Sequence, residues 1–476
     1  MTPECFIDGK WITGSGAAFA VSNPATQKVL HEVKAANSAD INAAISAAHR
    51  AFADFKNSPA AFREDLLLKA AAWMAKHEDE VANALISESG SSFGKAHFEV
   101  HFASDILRAA AGEARRVFGQ LQHQEKGEMH LVHKAPLGPV LGIAPFNFPL
   151  VLAIKKVAFA IAAGCTFVLK PSSLTPASGV YIARALEAAG APAGVINLIQ
   201  GPGSIADELI DDARIKFVAF TGSSVVGKKI ASRAAGLFKK YSLELGGKNP
   251  LIVLKDFDVK KAAKIAAFGA FFHQGQICMC TSRIIVEEPI YEDFCAELST
   301  IASALKPGDP TQPSTIIGPL IKSSQCALID EQIAQAQKEG AKILCGGKHE
   351  GNFYEPTVLK DVLPSMKIFY HESFGPVTSL VKARDRAHAL EICNDNDYGL
   401  SSAVLTNNFA AAFDLALNIE AGMVHVNGPT VADNSLVPFG GIKQSGIGRE
   451  GGAYSIDEFC ELKWISLHYE EPRLPF

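Results

Sequence analysis

The chain has 476 residues, enough for two or three domains and a sizeable core. A hydrophobic content of 48% is ordinary for a globular protein, and a formal charge of −5 argues against a general nucleic-acid-binding surface. Nine scattered cysteines with no Cys-x-x-Cys pair fit a reducing cytoplasm, not a disulfide scaffold or a zinc ribbon.

The opening stretch, MTPECFIDGKWITG, lacks a basic segment followed by an apolar run, so no signal peptide is expected. Within it, Phe6 to Trp11 reads as a hairpin around an Asp8-Gly9 turn. Residues 38–118 read as helical, in alanine-rich stretches at 40–55, 60–89 and 94–118, with Ser38 and Ser58 as expected N-caps. The alternating pattern at 120–135, centred on Lys126-Gly127, predicts a polar hairpin projecting from the body. Residues 138–245 alternate apolar strands (140–143, 166–169, 195–199, 217–220, 242–245) with helices such as 176–189, closed by Gly190. That rhythm predicts a parallel sheet with ligands at the carboxyl ends of its strands. A second series follows, with strands at 249–255, 283–286, 377–381 and 423–427 and helices at 259–272 and 322–339. Lys155 and Lys156 interrupt the apolar stretch near 149–169. A spanning helix needs roughly 20 apolar residues in a row, so no membrane partner is expected.

Two glycine-flanked turns carry the chemistry. Glu244 in LELGGK and Cys278 in GQIC offer a carboxylate to take a proton and a thiol to attack a carbonyl. The strand and helix between them return the chain so that both turns face one cleft. Gly222 to Lys229 imitates a phosphate-binding loop, but Lys229 stands where a Mg²⁺-ligating Ser or Thr belongs, which argues against ATP hydrolysis. The segment reads better as a strand-to-helix turn whose N–H groups face a pyrophosphate. No G-x-G-x-x-G fingerprint stands at the expected turn.

ELGGK followed by FHQGQIC resembles the aldehyde dehydrogenase superfamily, which oxidises aldehydes to acids with NAD or NADP. PFNFP (145–149), KPS (170–172), FTGS (220–223), ESFGP (372–376) and PFGG (438–441) running on to Gly448-Arg449-Glu450 follow in the family's order, over essentially the whole chain. FHQGQICM and HVNGPT (425–430) look most like the benzaldehyde, vanillin and salicylaldehyde branch. The resemblance implies an α/β fold in three parts. These are a Rossmann-like NAD(P)-binding domain (1–118 and 137–246), an α/β catalytic domain (247–445) and a small β-hairpin oligomerisation element (119–136 and 455–476). The hairpin would join subunits, together with the segment Leu462–Leu467, in a homodimer or homotetramer.

The same resemblance implies that Cys278 attacks the aldehyde, giving a thiohemiacetal and, after hydride loss, a thioester. A free thiol of pKa ~8.5 is a poor nucleophile, and N–H groups of its loop at a helix end are expected to favour the thiolate. Glu244 would activate water to hydrolyse the thioester, giving a free acid. Asn147 and the Cys278 N–H would hold the oxyanion, so no metal is needed. On its own, Asn147 is equally a turn residue between two prolines. Lys170 would bond the adenosine ribose, Gly222 and Ser223 would face the pyrophosphate, and Glu372 and Phe374 would hold the nicotinamide ribose and flank the ring. Ser173 replaces a glutamate of many NAD-preferring relatives, so NADP is expected to be accepted. Lys156 and Glu450 match a pair that passes protons to solvent. Lys155 stands where relatives acting on succinic semialdehyde or salicylaldehyde-like compounds often carry arginine. A cation there would pair with a substrate carboxylate or phenolate; an ordinary solvated lysine is the equal alternative. Cys280 reads as packing, with a redox partner for Cys278 as the lesser alternative. The expected substrate is an aromatic aldehyde, and a carboxylated semialdehyde is the main alternative. A coenzyme A-acylating enzyme and a non-catalytic binding protein are the rival readings.

Overall fold

The computed structural model describes residues 2–122, 127–471 and 474–476. Two sheets divide the chain. The first has the order Lys10–Ile12, Cys5–Ile7, Ile196–Leu198, Phe167–Lys170, Val140–Ile143, Phe217–Thr221, Lys240–Glu244, Gly446–Ile447. Its five middle strands are parallel. The chain enters this parallel run at Val140–Ile143 and builds outward through Phe167–Lys170 and Ile196–Leu198. It then returns to lay Phe217–Thr221 against the other side of the first strand. A switch point therefore lies between Val140–Ile143 and Phe217–Thr221, the place where parallel sheets bind ligands.

The second sheet has the order Lys342–Cys345, Thr357–Lys360, Val377–Ala383, Thr281–Glu287, Asn249–Val253, Ser401–Leu405, Met423–Val426. All its strands but the first are parallel. Glu244 is the last residue of its strand and Asn249 the first of the next, so the carboxyl edge of one sheet meets the amino edge of the other. The central strands are buried on both faces, as their unbroken apolar runs require.

The helix Pro149–Ala163 is apolar all round apart from Lys155 and Lys156, and every one of its residues is buried. Pro149 fits its first turn, and Gly164, at φ +99°, ends it. It packs between the helix Phe93–Ala114 and the first sheet. Each fully buried Leu, Ile or Phe there contributes about 1.5–3 kcal/mol.

Several local expectations shift. The cap of the helix Ser38–Phe55 is Asn37, not Ser38. Asn37 and Asp40 bond each other's backbone N–H, whereas Ser38 bonds Glu208. Ser58 does not cap the next helix; its hydroxyl donates to the Phe55 carbonyl at 2.6 Å, and Pro59 precedes Ala60–Lys76 without a side-chain cap. The stretch 60–89 is two helices, Ala60–Lys76 and Glu78–Ser89. His77 breaks it, and Glu78, Asp79 and Glu80 favour a fresh helix N-terminus there.

A third, three-stranded sheet joins Gln120–Gln122, Glu128–Pro136 and Cys460–His468, with Cys460 opposite Pro136 and His468 opposite Glu128. Lys126, in the expected turn, lies outside the described residues. Among the described residues no helix is long and apolar enough to cross a membrane.

Candidate active site

The segment after Val140–Ile143 carries Asn147, the segment after Phe217–Thr221 carries Gly222 and Ser223, and Glu244 ends the neighbouring strand. All three belong to the carboxyl edge of the first sheet. Cys278 comes from the other side, three positions before the strand Thr281–Glu287, whose first residue pairs with Asn249. The glycines between Glu244 and Asn249 permit this meeting. A Cβ on Gly247 would stand 2.7 Å from both the Cys278 carbonyl oxygen and Asn249 Oδ1.

The thiol turn is held from several directions. Asn249 Nδ2 donates to the carbonyls of Cys278 (2.8 Å) and Cys280 (2.9 Å), while its Oδ1 accepts from the Ser401 N–H. Thr430 Oγ1 donates to the Met279 carbonyl at 2.7 Å. Gly275, at φ +69°, presses on ESFGP so closely that a Cβ would stand 2.1 Å from the Gly375 carbonyl oxygen. Just before it, His273 and Gln274 also adopt positive φ. Sequence reasoning missed Asn249; its signal is a lone polar side chain opening the buried strand NPLIV.

The expected thiolate is not what this environment favours. Burial pushes the Cys278 thiol well up, and Glu244, Glu372 and Asp433 add to it, against a single opposing N–H from Met279. The turn leads into the strand Thr281–Glu287 and not into a helix of its own. Cys278 needs a neighbouring base to become a nucleophile. Cys280 is buried, and its Sγ lies 3.4 Å from the Ala270 carbonyl.

Asn147 is buried, and its Nδ2 donates to the Gln276 carbonyl at 2.9 Å, which leaves its second amide hydrogen free. A buried pair on the helix Phe93–Ala114 fixes its backbone. Lys95 Nζ donates to the Asn147 carbonyl at 2.7 Å and to Glu99. Glu99 Oε1 accepts from the N–H groups of Leu150 (2.9 Å) and Val151 (3.2 Å), capping the helix that follows Asn147. Sequence reasoning missed this pair too, although Lys95 and Glu99 stand at i,i+4 in FGKAHFEV.

Glu244 is 2% exposed, and among the described residues neither carboxyl oxygen has a hydrogen-bond partner. Burial and Glu450 raise its pKa well above the usual carboxylate range, against Lys156, Lys155 and Arg449. Lys156 Nζ bonds Glu450 Oε1 (2.5 Å) and Thr221 Oγ1 (2.6 Å), and Glu450 Oε2 is buried without a partner. Glu244, Glu450 and Lys156 thus form one electrostatic group beneath the thiol.

Two cavities meet at Cys278, Asn147 and Leu152. One, of about 470 Å³, is lined by Thr221, Gly222, Ser223, Glu372 and Phe374 among others. Ser223 caps the helix Ser224–Gly236 by accepting from the Val226 N–H. Glu372 accepts from the Gly247 N–H at 3.1 Å, and burial raises its pKa to about 7. Phe374, at φ +47°, packs edge-on to Phe146 at 5.8 Å. Lys170 is 3% exposed with one long bond, 3.2 Å, to the Pro171 carbonyl, and burial lowers its pKa to about 8. Ser173 is half-buried and does not line this cavity. The other cavity, of about 500 Å³, is walled by phenylalanines 98, 102, 148, 268, 272 and 439. Lys155 does not line it. Its Nζ is buried against both oxygens of Asp433, at 2.7 and 2.6 Å, and lies 4.2 Å above the Phe439 ring.

The thiol stands at the junction of an apolar and a polar cavity, with the buried Glu244 carboxyl close enough to act on it electrostatically. The model of the aldehyde dehydrogenase family matches residues 11–465. The chain belongs to the aldehyde dehydrogenase family. It is 41% identical over 467 residues to the vanillin dehydrogenase of Corynebacterium glutamicum, spanning 97% of this chain and 96% of that one. It is 36% identical to the NADP(+) succinate-semialdehyde dehydrogenase of Escherichia coli, spanning 98% and 97%. The crystal structure of a salicylaldehyde dehydrogenase from Pseudomonas putida G7, complexed with salicylaldehyde, superposes with a TM-score of 0.98 at 37% identity, each chain covered completely.

The dehydrogenase is therefore an NAD(P)-dependent enzyme of this family with the expected α/β fold. The residues fit that cofactor. Lys170 has donors to spare for a ribose hydroxyl, and the first N–H groups of Ser224–Gly236 stand open beside Ser223. Glu372 offers its second oxygen on the wall of the polar cavity.

Proposed function

We propose that this enzyme oxidises an aromatic aldehyde to the free carboxylic acid. The observation that carries the reading is the position of Cys278 between the phenylalanine-walled cavity and the polar cleft. The aldehyde enters ring-first against the phenylalanines, its carbonyl toward the thiol. Cys278 Sγ forms the C–S bond as a base takes the thiol proton. The free amide hydrogen of Asn147 and the Cys278 N–H hold the oxyanion. Bound NAD(P) supplies the hydride acceptor. Glu244 then takes a proton from the water that attacks the thioester, and the C–S bond breaks to release the acid and the Cys278 thiolate. Glu450 and Lys156 lead that proton away.

Lys170, Gly222, Ser223, Glu372 and Phe374 are assigned to the cofactor. The absence of a charge at Ser173 supports use of NADP alongside NAD. Residues 1–118 with 137–246 form the cofactor domain, 247–445 the catalytic domain, and 119–136 with 455–476 the oligomerisation element of a cytoplasmic homodimer or homotetramer. A carboxylated semialdehyde is the second reading, supported by the likeness to the Escherichia coli enzyme. The pairing of Lys155 with Asp433 weighs against a lysine free to anchor a carboxylate.

The test is the initial rate of nicotinamide reduction on aromatic, aliphatic and carboxylated aldehydes, with NAD and NADP, with and without coenzyme A. The expected result is fastest turnover of aromatic aldehydes without coenzyme A, abolished in Cys278→Ala. A requirement for coenzyme A, or a preference for carboxylated aldehydes, would overturn it.

A further inference from the structure

The phenylalanine-walled cavity carries one carboxylate, Asp433, and among the described residues of its wall no lysine or arginine. Asp433 keeps 14% of its side chain exposed, while Lys155 behind it is fully buried. Its known partners are Lys155, which reaches both oxygens, and the Asn434 N–H, at 2.7 Å from Oδ1. A carboxylate has about four lone-pair sites, so Oδ2 keeps acceptor capacity toward the cavity. Asp433 and Cys278 line this same cavity, so one small molecule in it can meet both. A ligand in this cavity therefore meets apolar rings, a hydrogen-bond acceptor and negative potential. The cation that would welcome a carboxylate is screened behind the acid.

We propose that Asp433, held in place by Lys155, is a specificity-determining residue: it accepts a hydrogen bond from a ring hydroxyl of the aromatic aldehyde and turns away aldehydes that bear a carboxylate. This deepens the aromatic-aldehyde reading and rests on it. A neutral phenol donates to the carboxylate at little desolvation cost. A second carboxylate in the same low-dielectric pocket meets repulsion and, among the described residues of the wall, no lysine or arginine to receive it. A hydrogen bond to a charged acceptor is worth about ten- to hundredfold in discrimination.

Two measurements test it, each a ratio within one protein, so a general loss of activity does not affect the outcome. The first is kcat/KM for hydroxybenzaldehydes, benzaldehyde and carboxybenzaldehyde in the wild type, in Asp433→Asn, and in the double variant Lys155→Met with Asp433→Leu, which removes the pair without stranding a buried charge. The wild type favours the hydroxylated over the plain ring about tenfold or more, and the double variant loses that preference. Asp433→Asn uncovers the Lys155 cation and raises carboxybenzaldehyde relative to benzaldehyde at least tenfold. The second is calorimetric binding of 4-methylphenol against 4-methylanisole, which needs no turnover. The wild type binds the phenol about tenfold more tightly, and the double variant binds both alike. Melting temperatures establish that the variants fold. A wild-type hydroxyl preference near one, or one that survives in the double variant, overturns the proposal and leaves Asp433–Lys155 as a structural pair. Phenol selectivity without turnover of any aromatic aldehyde would instead sink the aromatic reading.

Discussion

At the residue scale, the buried ionisable groups decide the pH behaviour. Burial and Glu450 raise the Glu244 pKa, so its carboxyl stays protonated past the usual range and is not yet a base. The deacylation rate should therefore rise with pH through that raised pKa. In Glu244→Gln the limb disappears and kcat falls by about 10²–10⁴, with a burst of one reduced nicotinamide per site surviving in stopped-flow traces. Glu450→Gln removes a negative neighbour and should move the limb to lower pH, read from kcat profiles. Asn147→Ala should lower kcat about 10²–10³-fold. Glu88 is a separate case. Its Oε2 accepts from the Ala177 N–H at the start of Ala177–Ala189, its Oε1 has no partner among the described residues, and burial raises its pKa to about 8. Because the folded pKa lies above the ordinary value, the stability it contributes is present in acid and is lost as pH rises through about 8. Glu88→Gln should thus melt close to wild type at pH 5 and increasingly above it toward pH 9. A constant gap across that range would refute the assignment. Cys278, Glu244 and Asn147 could be picked out because each sits in a compact motif. The direction of the thiol pKa could not, because it is set first by burial in the folded chain and then by Glu244 and the more remote Glu372 and Asp433.

At the scale of elements, the site rests on two supports that no single motif contains, the Lys95–Glu99 pair and Asn249. Lys95 and Glu99 bind the helix Phe93–Ala114 to the loop of Asn147 and the start of Pro149–Ala163. Removing one partner strands a buried charge, so Lys95→Met should cost about 3–5 kcal/mol, read by chemical denaturation. In soluble variants of this pair, kcat should fall more than affinity for the cofactor, because the oxyanion donor shifts. Asn249→Ala leaves the Cys278 and Cys280 carbonyls unsatisfied and should cost about 2–4 kcal/mol. Strand and helix types follow from hydrophobic period, and Gly190 ends its helix as its position predicts. The boundaries near His77 and the cap at Asn37 depend on which nearby polar side chain reaches the backbone, which period alone does not encode.

At the scale of the whole molecule, the three-stranded sheet leaves Trp464 71% and Leu462 63% exposed on one face, with Phe118 near Leu462. An apolar face of this kind is what a second copy of the chain would cover. Trp464→Arg with Leu462→Glu should lower the assembly state in analytical ultracentrifugation. An unchanged sedimentation coefficient would count against the oligomerisation element.

The sequence by itself determined the two βα series, the motif-borne thiol, carboxylate and amide, and membership of the family, because each is written in local period or in a short contiguous stretch. Only the tertiary structure decided what those groups meet. Lys155 and Lys156 are adjacent in sequence yet receive Asp433 and Glu450 from nearly three hundred positions away. The helix Pro149–Ala163 is buried on every side, so neither cation reaches solvent and each must find its counter-charge within the fold. That requirement, which no local pattern expresses, sets Lys155 against Asp433 and Lys156 against Glu450.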